Sequence, residues 1–170
     1  GIGWAHAHVE RMFPAESADF EEIDEVVLQQ LASWDGPWEL VSGLAGLCVY
    51  ALERLPDPRA VDMLARAVDR LRTLAAEDEG LLTWFTPATY VATDDPSAFP
   101  HGHFNLGMAH GVPGVVALLG SVACAGQPAA VPLLEKAVPW LLARQLPGEG
   151  AAYPGWTTAT GRAEPARLAW

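Results

Sequence analysis

The sequence predicts an all-α protein, a partial α/α toroid of helical hairpins, and three observations carry that prediction. Two kinds of helix alternate along the chain, one amphipathic and one apolar on nearly every side. A Gly-x-x-Gly turn precedes each of two apolar helices. Apolar residues make up 51% of the chain and charged ones only 18%, which is the balance of a globular protein, not of a disordered one. At 170 residues the chain is long enough to bury a sizeable core, as one domain or as part of a larger one.

The amphipathic helices are read from spacing. From Asp19 to about Trp34 the stripe is Phe20, Ile23, Val27 and Leu31, and Asp19 followed by Glu22 resembles a capping box. After Pro58 the stripe is Val61, Leu64, Val68, Leu71 and Ala75, with Asp62 and Arg66 as an exposed i,i+4 pair. Val131, Leu134, Val138 and Leu141 give a third stripe, in which Pro139 is expected to kink or split the helix.

The apolar helices run from Leu44 to Leu52 and from Val112 to Ala125, and helices of this kind must be enclosed by others. The residues before them repeat a pattern: SGLAG at Ser42–Gly46 and AHGVPG at Ala109–Gly114, with Gly1-Ile2-Gly3-Trp4 as the tail of an earlier copy. Each copy is a glycine turn, an inner apolar helix and an outer amphipathic helix that returns along the outside. Arranged as a ring, the N-termini of the inner helices gather at one mouth, where free N–H groups and positive dipole ends suit an anionic intermediate. The stretches Glu79–Gly102 and Pro147–Trp170, rich in Pro, Gly, Thr and aromatics, read as long loops, with a short hairpin within Leu81–Phe85.

Several function classes are disfavoured. With 21 acidic and 10 basic residues the net charge is −11, and no Lys/Arg cluster is available to neutralise successive phosphates, so nucleic acid is not an expected partner. Pro96–Leu134 contains no charged residue, but its prolines and glycines interrupt it before about 20 helical residues accumulate, so no membrane span is expected. Cys48 and Cys124 lie in apolar surroundings, where both are expected to be buried and unbonded to each other, in keeping with a cytoplasmic protein. The start at Gly1 has no basic segment of the signal-peptide kind.

Few residues could carry chemistry. His110 lies at the mouth of an inner helix, where an imidazole either transfers a proton or holds structure through hydrogen bonds, the second being the commoner role. Glu39, three residues before SGLAG, is placed at the same end, and an acid there ordinarily serves the helix N-terminus. The H-x-H pair His101 and His103 lacks a third ligand nearby and reads as exposed loop histidines, and His6 and His8 read likewise. Arg167 is by itself an ordinary loop arginine.

Three separated motifs together resemble the lanthionine synthetase C-like family: NLGMAHGVPG at Asn105–Gly114, WELVSGLAG at Trp38–Gly46, and RLAW at Arg167–Trp170. The resemblance runs over nearly the whole chain in the family's order. It implies an α/α toroid, of which residues 1–170 are part of a single domain cut at both ends, the family's first zinc cysteine following Trp170. It also implies a reaction, the addition of a peptide cysteine thiol to dehydroalanine or dehydrobutyrine to close a thioether ring. In that reaction His110 is the general acid, Arg167 the cation beside the developing negative charge, and Glu39 stands where the family usually has Asp. Zinc is then expected in the full-length parent and not in this stretch, whose isolated form is expected to be inactive. The partners implied are a dehydrated precursor peptide and a dehydratase. Two other readings stay open: a non-catalytic relative that binds thiol peptides or glutathione, and an unrelated carbohydrate-active toroid needing paired carboxylates, for which Asp94 and Asp95 are the adjacent acids.

Overall fold

The structure is a computed structural model that describes residues 1–14, 19–91, 99–147, 153–159, 161 and 163–165, the last three in backbone only. Its helices are α1 (Ile2–Met12), α2 (Glu21–Ala32), α3 (Leu44–Glu53), α4 (Pro58–Leu74), α5 (Val112–Cys124) and α6 (Val131–Leu142). α1, α3 and α5 stand side by side as the inner row. α2 packs on α4, α4 on α3, and α6 on α5, which makes the outer row. This is an arc of an α/α toroid, as the alternation of helix types predicts.

Local chemistry accounts for the boundaries. Pro58 opens α4, where its missing N–H costs nothing, and the Asp57 carboxylate accepts the Arg59 amide at 2.8 Å. Asp19 does not form the expected capping box with Glu22. Its carboxylate accepts the amide of Glu21 at 2.8 Å, one residue nearer, and Phe20 holds the cap position. The α2 stripe packs inward as expected, with Ile23 half-buried. Asp24 is also buried, which the pattern hid. It accepts the Tyr50 hydroxyl at 2.6 Å and the Arg54 guanidinium at 3.1 Å, so its charge is paired where burial would otherwise penalise it.

Two stripes are corrected by the packing. In α4 the buried face is Ala60, Met63, Leu64, Ala67, Val68 and Leu71, while Val61 is exposed. The Asp62–Arg66 pair forms on the outer face, with its N···O contact at 3.0 Å. In α6 the buried positions are Ala130 just before it, then Leu133, Ala137 and Trp140, one residue earlier at each step than the expected stripe. Trp140 sets this rotation: it is fully buried, and its indole N–H donates to Asp78 at 2.8 Å. The helix also runs unbroken through Pro139, which lies on the exposed face beside exposed Glu135, where a missing hydrogen bond costs least.

α5 is less enclosed than its composition suggests. Ala117, Ser121 and Cys124, spaced by four and three, form an exposed stripe, so Cys124 is exposed and the expectation that both thiols are buried holds only for Cys48. The Cys48 thiol points to the Leu44 carbonyl at 3.4 Å.

The long loops carry strands. β1 (Ala76–Asp78) and β2 (Leu81–Thr83) pair antiparallel around Glu79 and Gly80, whose φ values of 54° and 77° make the two-residue turn suited to a hairpin. The hairpin thus lies earlier than Leu81–Phe85, which supplies only its second strand. β3 (Phe104–Asn105), β4 (Pro154–Thr157) and β5 (Ala163–Pro165) form a second sheet in that order, and its last two strands lie where the sequence predicts loop. Thr86 and His103 add an antiparallel bridge, exchanging both backbone bonds at 2.8 and 3.0 Å. Among the described residues no helix is long and apolar enough to cross a membrane.

Candidate active site

The glycine turns build the mouth of the arc by letting backbone meet backbone. Gly43 and Gly111 are the N-caps of α3 and α5. A Cβ on Gly46 would lie 2.4 Å from the Leu40 carbonyl oxygen, and one on Gly114 would lie 2.3 Å from that of Met108. Only glycine allows this approach. The two turns are therefore equivalent, each folding the chain back onto the first turn of its helix. They also touch, since the Leu40 amide donates to the Ala109 carbonyl at 3.3 Å.

That contact brings Glu39 and His110 together. The His110 Nδ1 lies 2.7 Å from a Glu39 carboxylate oxygen across 71 residues of sequence. Glu39 is buried and held from three further sides: the amide of Val41 at 2.9 Å, the amide of Ser42 at 2.7 Å and the Ser42 hydroxyl at 2.8 Å all donate to it. Burial alone pushes its carboxyl upward, but these donors and the His110 charge outweigh that and hold it below its usual range. An ionised Glu39 can only accept, so His110 Nδ1 carries the proton it shares, and Nε2 is the nitrogen left for a ligand. The imidazole itself is well exposed, its side chain 59% accessible against 8% for Glu39. A fixed anion under a reachable imidazole is a device for moving a proton.

The pair opens into a cavity of about 500 Å³. Its other walls are Trp38, Thr86, Tyr90, Phe99, His103, Asn105 and Trp156. Trp38 is anchored by its indole N–H, which donates to the Phe85 carbonyl at 3.0 Å. Asn105 accepts the Gly107 amide at 2.8 Å and so shapes the turn that presents His110.

His103 is not the exposed loop histidine that the H-x-H spacing suggests. It is buried, stacked on Phe99 at 4.1 Å and edge-on to Trp156 at 6.5 Å, and burial lowers its pKa, while His101 is exposed. His8 and His6 lie on α1, apart from this cavity: His8 contacts Glu53 at 3.0 Å and His6 packs on Phe20. Sequence reasoning missed Ser42, which sits inside the recognised SGLAG, as well as Thr86 and the aromatic walls. Only Trp38 carried a signal, as the first residue of its motif. Arg167, the RLAW motif, Asp94 and Asp95 lie outside the described residues. Among the described residues no three or more His, Cys, Asp or Glu side chains gather where they could hold a metal ion. The zinc that the resemblance implies has no donor set there.

An arc of inner and outer helices whose mouth carries a carboxylate-held imidazole beside a cavity defines a toroidal protein with a candidate site at that mouth. The sequence matches the lanthionine synthetase C-like protein family over residues 6–170, and the chain belongs to that family. Its structure is similar to that of nisin cyclase, with a TM-score of 0.74 at 18% identity, covering 94% of this chain and 43% of that one. The chain thus spans under half the length of that protein, and the likeness establishes the fold. No curated protein matches the sequence.

Proposed function

We propose that the protein acts as a lanthipeptide cyclase, joining a cysteine thiol of a dehydrated precursor peptide to a dehydroalanine or dehydrobutyrine of the same peptide. The observation that supports this best is the His110–Glu39 pair at 2.7 Å on the wall of a cavity large enough for a peptide segment. Family membership and the likeness to a protein named as a cyclase point the same way.

In this reaction the sulfur bonds to the β-carbon, the C=C π pair moves towards the carbonyl, and the α-carbon takes a proton. The thiol proton is lost on attack and an equivalent one is delivered at carbon, so the sum is an addition. His110, protonated, gives its Nε2 proton to the α-carbon and is the catalytic acid. Glu39 is the positioning residue that fixes the ring through Nδ1. Arg167 is assigned the cation beside the enolate oxygen, on the resemblance alone. The same reading assigns zinc to the whole protein, on side chains other than those described, and a dehydratase as the source of the substrate.

The test is ring closure by the full-length protein on a dehydrated cysteine peptide, read as loss of alkylatable thiol at constant mass. His110→Ala is expected to lower the rate by roughly 10²–10⁴-fold, the usual size of general acid catalysis. Binding of the peptide with no thiol loss in the wild type overturns the cyclase reading in favour of a thiol-peptide binder.

A further inference from the structure

The cavity lining includes two residues with a buried polar atom that has nothing to bond. Thr86 Oγ1 and His103 Nδ1 are both buried and lack a hydrogen-bond partner, and both residues line the cavity. Leaving such atoms unpaired is costly, so a native protein keeps them for a partner. The two are not independent orphans. Thr86 and His103 face each other across the antiparallel bridge, and residues paired in that way project their side chains from the same face, with Cβ atoms about 5 Å apart. His103 is 5% exposed and packed against Phe99 and Trp156. It therefore offers one bare nitrogen in an otherwise apolar, aromatic setting.

We propose that Thr86 and His103 form a subsite that grips the backbone of the substrate peptide beside the dehydro residue. One extended residue carries its N–H and C=O on the same side, so its N–H donates to His103 Nδ1 while its carbonyl accepts from the Thr86 hydroxyl. Phe99 and Trp156 flank the planar amide. A sphere of the cavity's volume, about 500 Å³, is roughly 10 Å across, or about three residues of extended chain. A residue held here thus leaves its neighbour within reach of His110. The inference rests on the peptide-cyclase reading for the identity of the ligand. Backbone recognition of this sort carries no side-chain preference, which suits a site that must accept successive rings of different sequence.

The test uses calorimetric binding of a hexapeptide with dehydroalanine between glycines and serine in place of cysteine, alongside the same peptide N-methylated at the flanking glycines. Thr86→Val and His103→Phe should each weaken binding by roughly three- to tenfold, about one net hydrogen bond. Thr86→Ser should bind as the wild type does. N-methylation should cost the wild type the same factor and cost His103→Phe nothing further. In ring closure both variants should raise KM and leave kcat unchanged, the opposite of a His110 variant. Unchanged affinity in both variants, or indifference of the wild type to N-methylation, means that the two atoms face only trapped water and overturns the subsite. Failure of the wild type to bind the hexapeptide overturns it too. The full binding pattern without any ring closure would sink the cyclase reading and leave the subsite standing.

Discussion

The His110 imidazole and the Glu39 carboxylate, 2.7 Å apart, come from equivalent glycine turns of successive repeats. Four residues before its N-cap glycine, Glu39 stands where Gly107 stands in the next copy, and one residue before its own, His110 stands where Ser42 stands in the previous one. Each copy contributes one half of the pair.

Replacing the acid tests what that half does. Glu39→Gln keeps the shape but can no longer enforce the Nδ1–H tautomer, and the rate of ring closure is expected to fall by about 10²-fold, within the range of general acid–base effects. Glu39→Asp keeps the charge and the local amide donors, and should retain more than about a tenth of the rate. A large loss in Glu39→Asp with little loss in Glu39→Gln would show that length, not charge, matters at this position.

The same carboxylate makes stability depend on pH. Burial raises the Glu39 carboxyl, but the Val41 amide, the Ser42 hydroxyl and amide, and His110 bring it below the ordinary 4.5. A depressed folded-state pKa contributes stability that is complete above the ordinary value of 4.5 and is lost as pH falls through the lower folded value. In denaturant titrations wild type should therefore exceed Glu39→Gln at pH 7, with the gap closing in acid. A gap that stays constant into acid would contradict the assignment.

The two thiols should separate cleanly. Cys48 is buried and burial pushes its pKa to about 12, whereas Cys124 lies on the open stripe of α5. A thiol reagent under native conditions should label one sulfur fast and the other only after unfolding. Cys124→Ser should abolish the fast phase.

The glycines predict opposite signs. Gly111→Ala drives a Cβ to 2.3 Å from the Gly107 carbonyl oxygen and is expected to cost about 1–3 kcal/mol or more. Gly120→Ala, in α5 with nothing within 4 Å, should stabilise by roughly 0.5–1 kcal/mol through helix propensity. Thermal melts of both variants check the pair.

These particulars show what a sequence reveals and what it conceals. Spacing located every outer helix, and the glycine turns pointed to Glu39 and His110 separately. What spacing could not do was choose between equal stripes. Val131, Leu134, Val138 and Leu141 repeat with the same intervals as Ala130, Leu133, Ala137 and Trp140, and the choice fell to a hydrogen bond from Trp140 to Asp78, 62 residues away. β4 was hidden for a related reason: four residues in a proline- and glycine-rich stretch become the middle strand of a sheet by pairing with β3, far back in the chain, and with β5. His103 looked solvated because its neighbours His101 and Gly102 are polar or small, while the groups that bury it, Phe99 and Trp156, meet it only in three dimensions.

The backbone bond from Leu40 to Ala109 has a consequence for how the protein comes to have a site at all. Neither turn holds the His110–Glu39 pair before α3 and α5 lie side by side, so the pair forms only with the assembly of the inner row, not with the formation of either helix. The magnetic resonance signal of the His110 ring is thus a sentinel for that docking. A chain that keeps its helices but loosens the row should lose the signature of a carboxylate-bound Nδ1–H while its circular dichroism stays unchanged.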